Sequence, residues 1–142
     1  MTTRQSSDSM ARHYPVSIKG VAIVENKVVL LKNERDEWEL PGGKLEAEEV
    51  PERCCEREIL EETGLQSRVS TLLDCWVYRI FSVDVVIITY GCQVTSSSAA
   101  LQLSNEHKEL RLFARDGLQA IPIPQGYLRA IYRWFDTPKL ER

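Results

Sequence analysis

The sequence predicts an α/β domain: a mixed β-sheet with helices on its faces. Three observations point there. Segments rich in β-branched residues at 15–31 and 65–94 read as strands. Segments 50–63 and 125–135 carry helix punctuation or helical periodicity. The resulting order, strand–strand–helix–strands–helix, layers helices against a sheet. A chain of 142 residues can bury one core and is too short for two domains.

The head of the chain, residues 1–14, is expected to be a disordered tail, with a single domain over 15–142. Met1 to Arg12 is polar and lacks the apolar region of a signal peptide. Pro15–Val24 reads as the first strand, Glu25-Asn26 as a turn and Lys27–Leu31 as the returning strand of a hairpin. Asn33–Glu37 is a charged loop, followed by Trp38-Glu39-Leu40 and a flexible break at Pro41-Gly42-Gly43. Val50–Thr63 is the clearest helix: Pro51 suits the first helical position and Gly64 the position just past the end. Its apolar stripe is narrow, limited to Cys54, Cys55, Ile59 and Leu60.

Leu65–Phe81 and Val83–Val94 read as long strands, and the run Val85-Val86-Ile87-Ile88 suits a strand covered on both faces. Thr95–Ala100 is a loop, Leu110–Ala114 a short strand and Asp116–Ala120 a helical turn. Gln125–Phe135 closes the chain as an amphipathic helix with Leu128, Ile131, Tyr132 and Phe135 on one face.

Composition narrows the function. A net charge of −3 argues against a nucleic-acid polymer as partner. No apolar run approaches the roughly 18–20 residues that span a bilayer, so no membrane partner is expected. The cysteines at 54, 55, 75 and 92 have no metal-finger spacing and read as reduced, buried small hydrophobes, which suits a cytoplasmic protein. His13 and His107 form no ligand pattern with them. There is no G-x-S-x-G elbow for a serine nucleophile.

Charge is concentrated in one place. Residues 44–62 hold eight acids and three bases, whereas the rest of the chain holds 13 acids and 15 bases. On a helix, Glu62 lies about 40° from Glu58 and Glu61 about 60° to the other side, so the three carboxylates share a face. Glu58 and Glu62 repel as an i,i+4 pair, and Glu61 and Glu62 crowd a helix end that prefers cations. A divalent cation resolves the conflict. Mg²⁺ takes oxygen ligands and bridges carboxylates to phosphates. Arg57, one turn before Glu61, can hold a carboxylate through a bidentate contact. An acidic helix is also commonly just a solvated face; the embedded Arg57 and the upstream Pro-Gly-Gly set this one apart.

At these residues the chain resembles the Nudix hydrolases, the MutT-like family. Gly43, then Glu49, then Arg57-Glu58-Ile59-Leu60-Glu61-Glu62-Thr63-Gly64-Leu65 satisfies every fixed position of G-x5-E-x7-R-E-U-x-E-E-x-G-U. The resemblance implies an α/β/α sandwich with a mixed sheet. It also implies a metal site formed by Glu58, Glu61 and Glu62 with the carbonyl of Gly42 or Gly43, holding Mg²⁺ or Mn²⁺. Glu49 would support the site, Arg57 would orient a glutamate, and a later loop would add Glu106 or Glu109 as ligand or base. This chain departs from many relatives in having Glu48 and Val50 around the first box glutamate, where they have Gly and Ser; Val50 is a poor helix cap.

The activity so implied is Mg-dependent pyrophosphohydrolysis, an acid-anhydride hydrolase reaction on a nucleoside diphosphate linked to another moiety, through metal-activated water. Glu61, Glu58, Glu106 and Glu109 all remain open as the base. The chain lacks a downstream SQPWPFPxS-like array and a coenzyme-A-type segment upstream of Pro41, and Phe81 stands where some relatives carry proline. These features favour a dNTP or NTP, an oxidised nucleotide or a nucleotide sugar. Phe81 and Tyr90, with Trp76 and Tyr78, are candidate base-stacking residues, although strand aromatics more often belong to a core. Arg35, Lys44 and Arg79 are candidate phosphate contacts. Relatives are often homodimers. The competing reading is a non-catalytic nucleotide-sensing or binding module on the same fold.

Overall fold

The structure is a computed structural model that describes residues 12–103 and 107–139. Among these the strands are β1 (Val16–Val24), β2 (Lys27–Lys32), β3 (Trp38–Glu39), β4 (Gly42–Lys44), β5 (Ser67–Ile80), β6 (Val83–Val94) and β7 (Glu109–Ala114). The helices are α1 (Pro51–Thr63) and α2 (Gln125–Phe135), with short 3-10 turns at Ser98–Ala100 and Arg115–Ala120. Apart from residues 12–14, the expected tail lies outside the described residues.

β1 organises the sheet. Its first part runs parallel to β6, from Val16↔Val86 to Ala22↔Cys92, and antiparallel to β4. Its last residues turn through Glu25-Asn26, both at positive φ, into β2. β2 continues to β3 and β7, and β5 flanks β6 as an edge strand. The pairing is mixed, as expected.

Alternation along β1 divides the core in two. Ile18 and Ala22 join Val29, Cys54, Cys55, Ile59 and Cys92 beneath α1. Val21 joins Leu30, Ile87, Tyr127, Ile131 and Trp134 beneath α2. Helix, sheet and helix thus form an α/β/α sandwich. Gly20 lets α1 come close, since a Cβ there would stand 2.6 Å from Ile59 Cδ1 and 2.7 Å from Cys55 Sγ. Among the described residues no helix is long and apolar enough to cross a membrane.

Several expectations need correction. The break at Pro41-Gly42-Gly43 is not a flexible loop: Gly42–Lys44 pairs with β1 as β4. Cys75 is exposed on the uncovered face of the edge strand β5; Cys54, Cys55 and Cys92 are buried as expected, and all four are free. Leu60 is 45% exposed and leaves the buried stripe of α1 to Cys54, Cys55, Ile59, Glu62 and Thr63. In the run 85–88 only Ile87 is fully buried, and two-sided cover begins there. The buried face of α2 is Tyr127, Ala130, Ile131 and Trp134, with Leu128, Tyr132 and Phe135 half-buried at its margin.

Val50 is the N-cap of α1 and makes no side-chain capping bond. Replacing it with Ser, whose hydroxyl accepts a bond from an N-terminal amide, is expected to add about 1 kcal/mol. A thermal melt should then rise by about 2–4 °C; an unchanged midpoint would mean those amides are already satisfied.

Candidate metal and phosphate site

Helix α1 lays its carboxylates against β4, and two glycines make the approach feasible. Gly42 has φ 155°, and a Cβ there would lie 1.9 Å from the Ile18 carbonyl oxygen. Its amide donates to Glu62 Oε1 at 2.9 Å. At Gly43 a Cβ would lie 2.5 Å from Glu58 Cδ, so the missing side chain leaves room for that carboxylate. The Pro41 carbonyl accepts from the Gly20 amide at 3.0 Å and pins the turn to β1.

Arg57 gathers the remaining acids. Its Nε and Nη2 donate to Glu49 at 2.6 and 3.0 Å, so the bidentate contact goes to Glu49 rather than to Glu61 one turn on. Its Nη1 donates to Glu58 at 2.9 Å and to Glu61 at 3.2 Å. Hydrogen bonding to Arg57 holds the Glu49 carboxyl below the usual carboxylate range. The same bond, with Glu58, holds the guanidinium firmly charged.

Glu62 is in a different situation. Only 5% exposed, it is pushed by burial up to about 7, against the opposing effects of the Gly42 amide and Lys19.

The donor set fits a hard divalent cation: carboxylate oxygens of Glu58, Glu61 and Glu62 on one helix face, with the Gly43 cradle beside Glu58. Among the described residues, however, no three acidic, His or Cys side chains are gathered closely enough to enclose an ion. Glu58 and Glu61 turn toward Arg57 while Glu62 turns toward Gly42.

The other candidates are scattered. Glu106 lies outside the described residues, and Glu109 sits on β7 paired with Arg111. Arg35 pairs with Glu37, and Arg79 with Asp84 at 3.0 Å on the β5–β6 ladder. Lys44 is exposed immediately after Gly43. Phe81 is 85% exposed at the hairpin tip, with φ 57°. Tyr90 is buried in the cluster under α1, which removes it as a stacking residue. Trp76 and Tyr78 pack edge-on against Tyr127.

Sequence reasoning missed a buried charged group beside this site. Lys19 is 6% exposed; its Nζ donates to the Leu40 carbonyl at 3.1 Å and lies 4.0 Å from Glu39 Oε2. Glu39 also accepts from Asn33 Nδ2 at 3.1 Å and contacts His107 Nε2 at 3.1 Å. Burial works against ionisation of Glu39, but His107, Lys19 and Asn33 prevail and hold it at about 2. His107 is in turn raised above the usual imidazole value, chiefly by Glu39. One signal was present: a lysine amid the β-branched residues of a predicted strand.

Comparisons with known proteins bear on the family and the fold. The NUDIX domain profile matches residues 13–135. A MutT-like protein of Streptomyces ambofaciens is 36% identical over 95 residues, covering 66% of this chain and 60% of that protein. The chain therefore spans less than two thirds of that relative's length. An 8-oxo-dGTP diphosphatase of Proteus vulgaris is 54% identical over 37 residues, 26% of this chain and 33% of that one. The crystal structure of a NUDIX-family hydrolase from Clostridium perfringens superposes with a TM-score of 0.76 at 17% identity, covering 88% of this chain and 98% of that one, and shows the shared fold.

The Glu39 cluster has a pH signature. A carboxyl held down to about 2 from 4.5 contributes stability above pH 4.5 that is lost as pH falls toward 2. His107, raised from 6.5, contributes below that value and loses its contribution as pH rises past its raised one. Urea midpoints should therefore show Glu39→Gln less stable than wild type near neutrality, with the gap closing as pH falls from 4.5 to 2. A constant gap across that window would contradict the assigned ionisation.

Proposed function

The chain belongs to the NUDIX family, and from that premise we propose that it is a pyrophosphohydrolase splitting a nucleoside diphosphate linked to another group. The observation that carries the reading is the Arg57 network: one guanidinium holds Glu49, Glu58 and Glu61 beside the buried Glu62. A binding module has no need for acids that repel one another and cost helix stability.

Glu58, Glu61 and Glu62, with a carbonyl of Gly42 or Gly43, would hold Mg²⁺ or Mn²⁺. When bound, the ion supplies the Lewis acidity that activates water and offsets phosphoryl charge. The chain's own residues do the rest. Arg57 fixes the orientation of Glu58 and Glu61. Glu61, more than half exposed, is placed to accept a proton from attacking water. Lys44, exposed beside Gly43, meets a phosphate oxygen. Phe81 offers a stacking face at the hairpin tip.

The substrate class is a dNTP or NTP, an oxidised nucleotide or a nucleotide sugar; similarity to a protein named 8-oxo-dGTP diphosphatase supports the oxidised nucleotide. Four free thiols suit a cytoplasmic setting.

The test is a panel of dNTPs, 8-oxo-dGTP, ADP-ribose, sugar nucleotides and dinucleoside polyphosphates assayed with Mg²⁺ for release of phosphate or monophosphate. Turnover is expected to vanish with EDTA. Glu61→Gln and Glu62→Gln should each lower kcat at least about 100-fold. Unchanged kcat in both would rule out these roles, and binding without release would favour a sensor.

A further inference from the structure

The turn that brings Gly42 to Glu62 is held on β1 by short backbone pairings, the Gly20 amide donating to the Pro41 carbonyl and Gly42–Lys44 pairing with Ser17–Lys19. β3 pairs with β2 through only Leu31↔Glu39 and Lys32↔Trp38, and β4 is three residues long. Glu39 stands at the start of this turn, and three separate segments meet on its carboxylate.

From β1, Lys19 Nζ lies 4.0 Å from Glu39 Oε2 and donates to the carbonyl of the next residue, Leu40, at 3.1 Å. The stem of Lys19 runs directly under the turn: its Cα and Cδ both lie 2.8 Å from where a Gly42 Cβ would be. From the 33–37 loop, Asn33 donates to Glu39 Oε1 while its own Oδ1 accepts the amides of Arg35 at 2.9 Å and Glu37 at 3.1 Å. Ahead of β7, His107 contacts Glu39 Oε2 with a side chain only 9% exposed.

Burying these charges is expensive, and apolar residues of similar size in such places are often neutral or more stable. A valine at 19 and a leucine at 39 would cover the sheet without that cost. What the apolar pair could not do is join β1, the 33–37 loop and the segment before β7 to one point of the turn with directional bonds.

We propose that Glu39 is a positioning residue: its carboxylate, bonded to Asn33 and His107 and paired with Lys19, clamps the Leu40–Gly43 turn and so holds the Gly42 amide on Glu62 and the Gly43 cradle around Glu58. The role rests on the proposed hydrolase activity for its consequence, but the clamp itself has a readout that needs neither metal nor substrate.

The experiment compares wild type, Glu39→Gln and Asn33→Ala as full chains. Amide hydrogen exchange, measured by NMR without metal or nucleotide, should speed up about 10-fold or more at Gly42 and Gly43 in Glu39→Gln, while β6 amides keep their protection. Asn33→Ala should shift the same two amides in the same direction by a smaller factor. In the hydrolase assay kcat should fall at least about 10-fold with KM within about threefold, the pattern of misplaced reacting groups.

If Glu39→Gln, which strands the buried Lys19, does not fold, Asn33→Ala carries the test alone. Exchange at Gly42 within about twofold of wild type, or a parallel rise in β6 that marks general loosening, overturns the clamp. Faster exchange at the turn with unchanged kcat overturns its bearing on the reaction. Should wild type hydrolyse nothing in the panel, the functional reading fails, and exchange alone decides whether Glu39 holds the turn.

Discussion

Several carboxylates crowded along one helix face and its approach loop repel one another, and everything around α1 is arranged to contain that repulsion. Arg57 spreads its donors over Glu49, Glu58 and Glu61, so a single cation serves three anions. The fourth acid, Glu62, is dealt with by burial and one backbone amide. These solutions have different characters. The Arg57 pairs are partly solvent-facing and adjustable, whereas Glu62 is fixed by the sheet itself. A site that must admit a highly charged ligand gains from having both: a rigid reference oxygen and side chains that can exchange partners.

β1 carries this arrangement into the fold. It is the strand on which the two halves of the sheet meet, and its alternate residues feed both cores. It also supplies the Gly20 amide to Pro41, the antiparallel partner for β4, and the buried amine of Lys19. The functional turn therefore has no independent support. It is an extension of the strand at the middle of the molecule.

Local pattern was legible in the sequence, and contact between distant segments was not. The periodicity of 125–135 and the Pro51 and Gly64 punctuation of α1 depend on neighbours a few residues away, and both helices were placed to within one residue. The spacing from Gly43 to Leu65 likewise encodes a site on one continuous stretch. Lys19, Glu39, Asn33 and His107 come together across as many as 88 positions, and no periodicity announces such a meeting. β4 was missed for the same reason: Pro-Gly-Gly reads as a break until β1 is seen beside it. Which face of β5 is covered could not be read either, because irregularities between Val69 and Thr71 and between Leu72 and Asp74 shift its register against β6. That left Cys75 on the open side.

The close approach at Gly20 has a mechanical meaning. α1 rests on β1 with its separation set where Ile59 and Cys55 meet a residue without a side chain. That contact works as a depth stop. A single methyl at position 20 would lift the helix and carry Glu58 and Glu62 away from β4 together, so the reach of the acidic oxygens is governed by an apolar surface that never meets the ligand.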